Sequence, residues 1–316
     1  MRKVNIDIAN FNLTFGDKES PLLTYFEEFL YPAFTSEIIR EVDDTRYMFK
    51  SVELIETKEG LALKGIFIKD TILEVKSEVE GGILVEKNKI YPSAPYSLFC
   101  ILLKNHRMIL VPNQKGSPDL RSFNVTARTI LKQYRKEENK KREEQDKEPI
   151  PYFDLRVTGL PSKVKLLEEL KQVKQIDSLK IRFYPLNGED LDSSDIVNEH
   201  IGLLRERIGS RTGNLTLNSP DNKKETAELV EELGDTVDVT LQVKYADNSR
   251  GKIKNDSYTE KRQLEIEGNQ VSDEDEEIIS DMIQIPNIIK TSEANQKIYD
   301  KFLGKIKNFL IVKGRV

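Results

Sequence analysis

Residues 214–262, NLTLNSPDNKKETAELVEELGDTVDVTLQVKYADNSRGKIKNDSYTEKR, decide the fold class. They read as a strand (LTLN, 215–218), a helix (SPDNKKETAELVEEL, 219–233) and a hairpin. The hairpin is DVTLQVKY (238–245), the turn ADNSRG (246–251) and KIKNDSYTEKRQL (252–264). Ser219 suits an N-cap and Pro220 the first helical position, where a missing N–H costs nothing. Gly234 suits the residue just past the helix, where a left-handed backbone is common. Val239, Leu241 and Val243 alternate with Thr240, Gln242 and Lys244, the period of a half-buried strand.

The residues before this stretch continue the alternation of strand and helix. PYFDLRVTGL (151–160) and SLKIRFYPLN (178–187) read as strands. PSKVKLLEELKQVKQ (161–175) reads as a helix with Val164, Leu167, Leu170 and Val173 on one face, and DIVNEHIGLLRERIG (195–209) as another. The order β-α-β-α-β-α-β-β predicts an α+β protein whose C-terminal domain, residues 151–316, is a ferredoxin-like α/β sandwich. VSDEDEEIISDMIQI begins a helix with acidic residues, favourable at its positive dipole end. The last amphipathic helix has Ile298, Phe302, Ile306 and Phe309 as its stripe, set either on its own domain or against a partner subunit.

Residues 1–134 read as a β-rich N-terminal domain. Val4, Ile6 and Ile8 alternate in a first strand that breaks at Ala9-Asn10 and resumes with Phe11, Leu13 and Phe15. LLTYFEEFLYPAF reads as an aromatic core helix stopped before Pro32. Hairpins are expected across Lys58-Glu59-Gly60, across Gly81-Gly82, and in SLFCILLKNHRMILVP around Lys104–Arg107. Pro118 and Asp119 start a helix with Phe123, Ala127, Ile130, Leu131 and Tyr134 as its apolar stripe. Residues 135–150 read as a charged helix end and linker, so the chain is expected to have two domains.

The 316 residues carry 49 Lys and Arg against 54 Asp and Glu, a net charge of −5, so any nucleic-acid surface has to be local. Cys100 lies in an apolar run and reads as a core residue. With that single cysteine and two histidines a zinc site is not expected, and no Gly-rich phosphate loop or other cofactor motif occurs. The N-terminus lacks a signal-peptide h-region and no apolar run reaches bilayer length, so a cytoplasmic protein without membrane insertion is expected.

The best candidate chemistry is phosphate binding. The hairpin and its turn carry Lys244, Arg250, Lys252 and Lys254, with Lys261 and Arg262 beyond and Tyr245 and Tyr258 interleaved to touch sugars or bases. Arg211, in GSRTGN, is a further phosphate contact. A second basic group, Lys104, Arg107, Lys115, Arg121 and Arg128, would line a cleft with the hairpin if the domains face each other. A metal-dependent nuclease is the enzyme alternative, using carboxylates such as Glu265/Glu267 or Asp273/Asp275. A third reading is a protein-interaction module working through the acidic segment Asp273–Glu277.

From Leu98 onward the order of elements resembles the RexA family of phage exclusion proteins. The likeness rests on SLFCILLKNHRMILVP, DLRSFNVTARTIL, FDLRVTGL, KVKLLEELKQV, SLKIRFYP, LNSP, the DVTLQVKYADNSRGK hairpin and a long last helix. The N-terminal third departs from it, and Gln242 stands where a basic residue is expected. The resemblance implies a homodimeric protein that binds duplex DNA without sequence preference and acts in phage exclusion. It implies no catalysis and a separate effector protein. By order, the family's basic hairpin maps onto Lys244, Arg250 and Lys252.

Overall fold

The structure, a computed structural model, describes residues 2–187, 203–205, 207–234 and 236–312. Most of the helix expected over 195–209 lies outside them. Strands β1 (Arg2–Phe15), β2 (Ser20–Pro21), β3 (Arg40–Val42), β4 (Thr45–Thr57), β5 (Gly60–Glu80), β6 (Ile83–Ser93), β7 (Tyr96–Leu102) and β8 (Arg107–Pro112) come first. The helix Leu120–Glu144 precedes β9 (Phe153–Gly159), the helix Lys163–Lys171 and β10 (Val173–Phe183). Then follow β11 (Gly213–Asn218), the helix Lys223–Leu233, β12 (Val237–Tyr245), β13 (Arg250–Lys254) and β14 (Lys261–Ile266). The helices Asp275–Met282 and Glu293–Val312 complete an α+β architecture. No helix among the described residues is long and apolar enough to cross a membrane.

A large ten-stranded sheet runs β14-β1-β8-β7-β5-β4-β3, with β2 and β9 also on β1 and β6 on β5. The first strand is continuous where the sequence reads a break. Val4, Ile6 and Ile8 enter one core, while Ala9, Phe11, Leu13 and Phe15 enter the core on the opposite face. Successive strand residues point to opposite faces, so the apolar set changes side without any interruption of the backbone. Burial on both faces also accounts for the near-continuous apolar runs of β7 and β8.

The first core fills the space between this sheet, the irregular helical segment 22–34, the helix Leu120–Glu144 and the helix Glu293–Val312. Segment 22–34 runs through Pro32 instead of ending before it. Proline occupies the first turn of a single α-helical turn, where its missing N–H is not needed. The second core lies against Ile278, Ile279 and Met282 of the helix Asp275–Met282 and holds Cys100, whose thiol burial pushes up to about 12. Lys64 of β5 ties that helix down through Asp275 at 2.7 Å and also pairs with Glu53 of β4 at 3.1 Å.

Two features of the expected domain layout change. The strand Phe153–Gly159, expected to open a ferredoxin-like sheet, pairs with Ala9–Phe15 of β1, and β14 pairs with Arg2–Asp7. The smaller sheet therefore has the order β11-β10-β12-β13. The chain enters this small unit after β9 and leaves it before β14, so the composition shift at 135–150 is not where the cores part. Ile150 is fully buried in the first core, and its carbonyl accepts from Arg135 and Asn139 at 3.0 Å each. The last helix likewise packs on the first core through Tyr299, Ile306 and Leu310, with Ile298, Phe302 and Phe309 partly buried.

Helix ends also shift. Asp119 caps its helix as expected, accepting from Ser122 N at 2.8 Å. In place of Ser219, Asn222 caps Lys223–Leu233, accepting from Glu225 N at 3.1 Å. The helix expected over 161–175 stops at Lys171: Leu166 and Leu170 are buried, Val164 is exposed, and Val173 belongs to β10.

His106 sits in the β7–β8 turn at φ 59, fully buried, and neither ring nitrogen has a hydrogen-bond partner among the described residues. Burial, assisted by Arg107, pushes its pKa down from 6.5 to about 3. A depressed histidine takes up its proton on unfolding, so stability falls as pH drops from near 6.5 towards 3. The urea midpoint of the wild type should therefore fall more between neutral and mildly acidic pH than that of His106→Asn. Asparagine tolerates the same left-handed backbone without titrating. Equal shifts in the two proteins would show that the histidine does not couple to folding.

Candidate nucleic-acid interface

The small sheet buries one face and exposes the other. Leu179, Ile181, Phe183, Val239, Leu241, Val243 and Ile253 pack under Leu166, Leu170, Ala227, Val230 and Leu233 of its two helices. With a period of two, the intervening residues point away from the helices.

The register fixes which of them are neighbours. Lys244 lies opposite Arg250, Gln242 opposite Lys252, and Thr240 opposite Lys254. On the other side of β12, Thr240 faces Lys180, Gln242 faces Ser178 and Asp238 faces Arg182. Beyond β10, Thr216 faces Lys180 and Asn214 faces Arg182. Lys180, Arg182, Arg250, Lys252 and Lys254 are exposed, and Lys244 is half-buried. The result is one face of cations interspersed with hydroxyl and amide side chains, on the side away from the two packed helices. Gln242, where a basic residue was expected, lies between Lys252 and Ser178 within this face.

Among the described residues, Lys180, Lys244, Arg250, Lys252 and Lys254 make no ion pair. Asp177, at a bulge in β10, and Asp238 are the acidic residues on these strands. Asp238 is held by Arg156 at 2.8 Å, and burial raises its pKa against the pull of Arg156 and Arg182. In the hairpin turn, Asp247 accepts from the Ser249 hydroxyl at 2.6 Å and amide at 2.9 Å, which holds its carboxyl below the usual range. That carboxylate rigidifies the turn.

The remaining sequence candidates are placed elsewhere. Arg211, exposed just before β11, lies 3.9 Å over the Tyr152 ring and 3.2 Å from Asp17. It clamps its loop to the turn after β1, so its guanidinium is already engaged. Arg128 donates to the Leu155 carbonyl, with its Nε at 3.0 Å, and ties the long helix to β9. Arg107 lies half-buried on β8, paired in register with Asn10. Arg121 is exposed in the first turn of the long helix. None of the last three belongs to the small sheet. Nor are the two tyrosines on its basic face. Tyr258 is fully buried with its hydroxyl on Asn255, and Tyr245 packs with the small-sheet core.

Lys180 and Arg182 were not singled out from sequence, although the alternation in SLKIRF carries the signal. Leu179, Ile181 and Phe183 point inward, which sends the two cations outward.

Among the described residues, no group of three His, Cys, Asp or Glu side chains is arranged to hold a metal ion. Of the carboxylates weighed for such chemistry, Glu265 pairs with Lys3 at 3.6 Å and Asp275 with Lys64. No family model matches the chain, and no curated protein is similar to it.

Proposed function

We propose that the face of the small sheet opposite its two packed helices binds duplex DNA through its phosphates, without reading sequence. The observation that carries this reading is the alignment of Lys180, Lys244, Arg250, Lys252 and Lys254 on one exposed surface of a protein of net charge −5. Charges that are not neutralised internally are available to displace the counterions of a polyanion. Within a strand, alternate residues stand roughly 6.8 Å apart, and neighbouring strands roughly 4.8 Å apart. The face is thus a grid of positive charge on a rigid support. Single-stranded nucleic acid is usually held by stacking bases on aromatic rings, and this face has none. Hydroxyl and amide groups beside the cations are the usual partners of phosphate oxygens. The setting of phage exclusion in the cytoplasm, with a separate effector, belongs to this proposal through the family resemblance alone.

The test is a DNA-binding titration at several salt concentrations, with and without magnesium. Wild type is compared with Lys244→Glu/Arg250→Glu/Lys252→Glu. With about five phosphates engaged, log K should fall with log salt at a slope of roughly −4 to −5, and the triple variant should lose binding at all salt concentrations. Absence of wild-type binding at low salt would sink the DNA reading and direct attention to a protein partner of Asp273–Glu277. Magnesium-dependent cleavage abolished by one carboxylate substitution would establish the nuclease instead.

A further inference from the structure

The hairpin of β5 and β6 leaves the large sheet. The last pairs of β5 with its sheet neighbours are Asp70 with Arg46 and Ile68 with Tyr96, and from Thr71 to Glu80 it pairs with β6 alone. This ribbon exposes Leu73 at 55%, Val79 at 72%, Ile83 at 70%, Leu84 at 71%, Ile90 at 64% and Tyr91 at 45%. A two-stranded ribbon is marginal alone in water, and contiguous exposed apolar side chains mark an interaction surface. Among the described residues no further strand pairs with either of its edges, which present backbone donors and acceptors outward.

The sequence of β6 identifies what pairs there. One extra residue sits in β6 between Glu86, opposite Ser77, and Lys89, opposite Val75. This bulge shifts the alternation, so Leu84, Glu86, Lys89 and Tyr91 share one face, opposite Val79, Ser77, Val75 and Leu73. Val85 and Ile90 share the other. The strand is therefore symmetric in character about Lys87-Asn88: an apolar residue, Glu, the bulge, Lys, an apolar residue. Laid antiparallel against itself about that point, Glu86 meets Lys89, Leu84 meets Tyr91, and Val85 meets Ile90. The apolar pairs are complementary, Glu86 meets a lysine that within its own ribbon also pairs with Glu78 at 3.1 Å, and each pair matches inward-bonding with inward-bonding positions along the edge. Shifting the register by one residue sets Lys87 against Lys89 or Val85 against Lys89. The free edge of β5 lacks this property: centred on Val75 it pairs Glu74 with Lys76 but sets Ile72 against Glu78, and centred on Ser77 it opposes Glu74 to Glu80.

We infer that the outer edge of β6 pairs with β6 of a second copy of this chain, joining two ribbons into a four-stranded β5-β6-β6-β5 sheet across a two-fold axis. The interface is isologous, the same patch serving on both subunits. It does not involve the basic face of the small sheet, so dimer and DNA binding are separable.

Sedimentation of the full chain without DNA tests this. Wild type should sediment as two chains at micromolar concentration. Val85→Asp/Ile90→Asp should raise the dimer dissociation constant by at least about a hundredfold, with an unchanged far-UV spectrum because the ribbon lies outside all three cores. A ribbon shortened by replacing Leu73–Tyr91 with a Gly-Gly turn should also be a monomer. For the register, Glu86→Cys/Lys89→Cys should give a covalent dimer with oxidised glutathione, and neither single variant should, since Cys100 is buried. A monomeric wild type, a dimer that survives both ribbon variants, or cross-linking by a single variant would each overturn the inference.

Discussion

Phe123→Ala is expected to destabilise the protein by about 3–5 kcal/mol, measured as a lower urea midpoint at unchanged m-value. Phe123 has no exposed surface and stands at the centre of an aromatic cluster. Its ring centroid lies 5.1 Å from Phe49, 5.3 Å from Phe99 and 5.4 Å from Phe67, with Phe11 and Phe34 both at 6.4 Å. These rings come from β1, β4, β5 and β7 and from the helical segment 22–34, so one side chain on the long helix joins four strands of the sheet and the segment packed on it. Alanine would remove the ring from all of them and leave a cavity that rigid neighbours cannot close. Val125, two residues along the same helix and 40% exposed, provides the control: Val125→Ala should change stability by no more than about 0.5 kcal/mol. Similar losses at the two positions would mean that the helix contributes through its propensity and not through this cluster.

Lys180→Glu/Lys254→Glu is expected to abolish most DNA binding although it leaves Lys244, Arg250 and Lys252 intact. The two lysines flank Thr240 on adjacent strands, one outside the hairpin and one on its return strand. If the whole face is the binding surface, two lost phosphate contacts should lower the salt slope by about 2, beside the repulsion introduced. Affinity at moderate salt should then drop on the order of 100-fold, as each tenfold step corresponds to about 1.4 kcal/mol. Both side chains are exposed and unpaired, so the fold should be unaffected. Retained affinity would confine binding to the hairpin tip and remove β10 from the interface. The contrasting substitution is Arg211→Glu. It should change DNA binding little and loosen the loop held against Tyr152 and Asp17, which thermal unfolding would register.

The alternation in DVTLQVKY and SLKIRF, the glycines at 81 and 82 and the cap at Asp119 each act over a few residues, and each reads correctly from the chain. So does the core role of Cys100, because an unbroken apolar run is already a statement about burial. Ser219 misleads because Asn222 competes for the same cap three residues later, and the backbone at Ser219 takes φ 53. Val173 misleads because its spacing suits both the end of a helix and the start of a strand. For the basic site, the hairpin residues were legible as a cluster in sequence. Their freedom from ion pairs was not, and neither was the engagement of Arg128 and Arg211 by groups far along the chain.

The sequence alone therefore determined the kind and order of most strands and helices, though not their ends, and the inward side of strands such as Val237–Tyr245, since side-chain alternation is a property of the local backbone. Only the tertiary structure decided which strands lie together. Phe153–Gly159 has the apolar pattern to join either sheet, and it pairs with β1, where Leu155 enters the first core. That choice leaves β10 beside β12, and so places Lys180 and Arg182 next to the hairpin cations. Strand pairing is decided by the surface buried across the whole sheet, which no local pattern encodes.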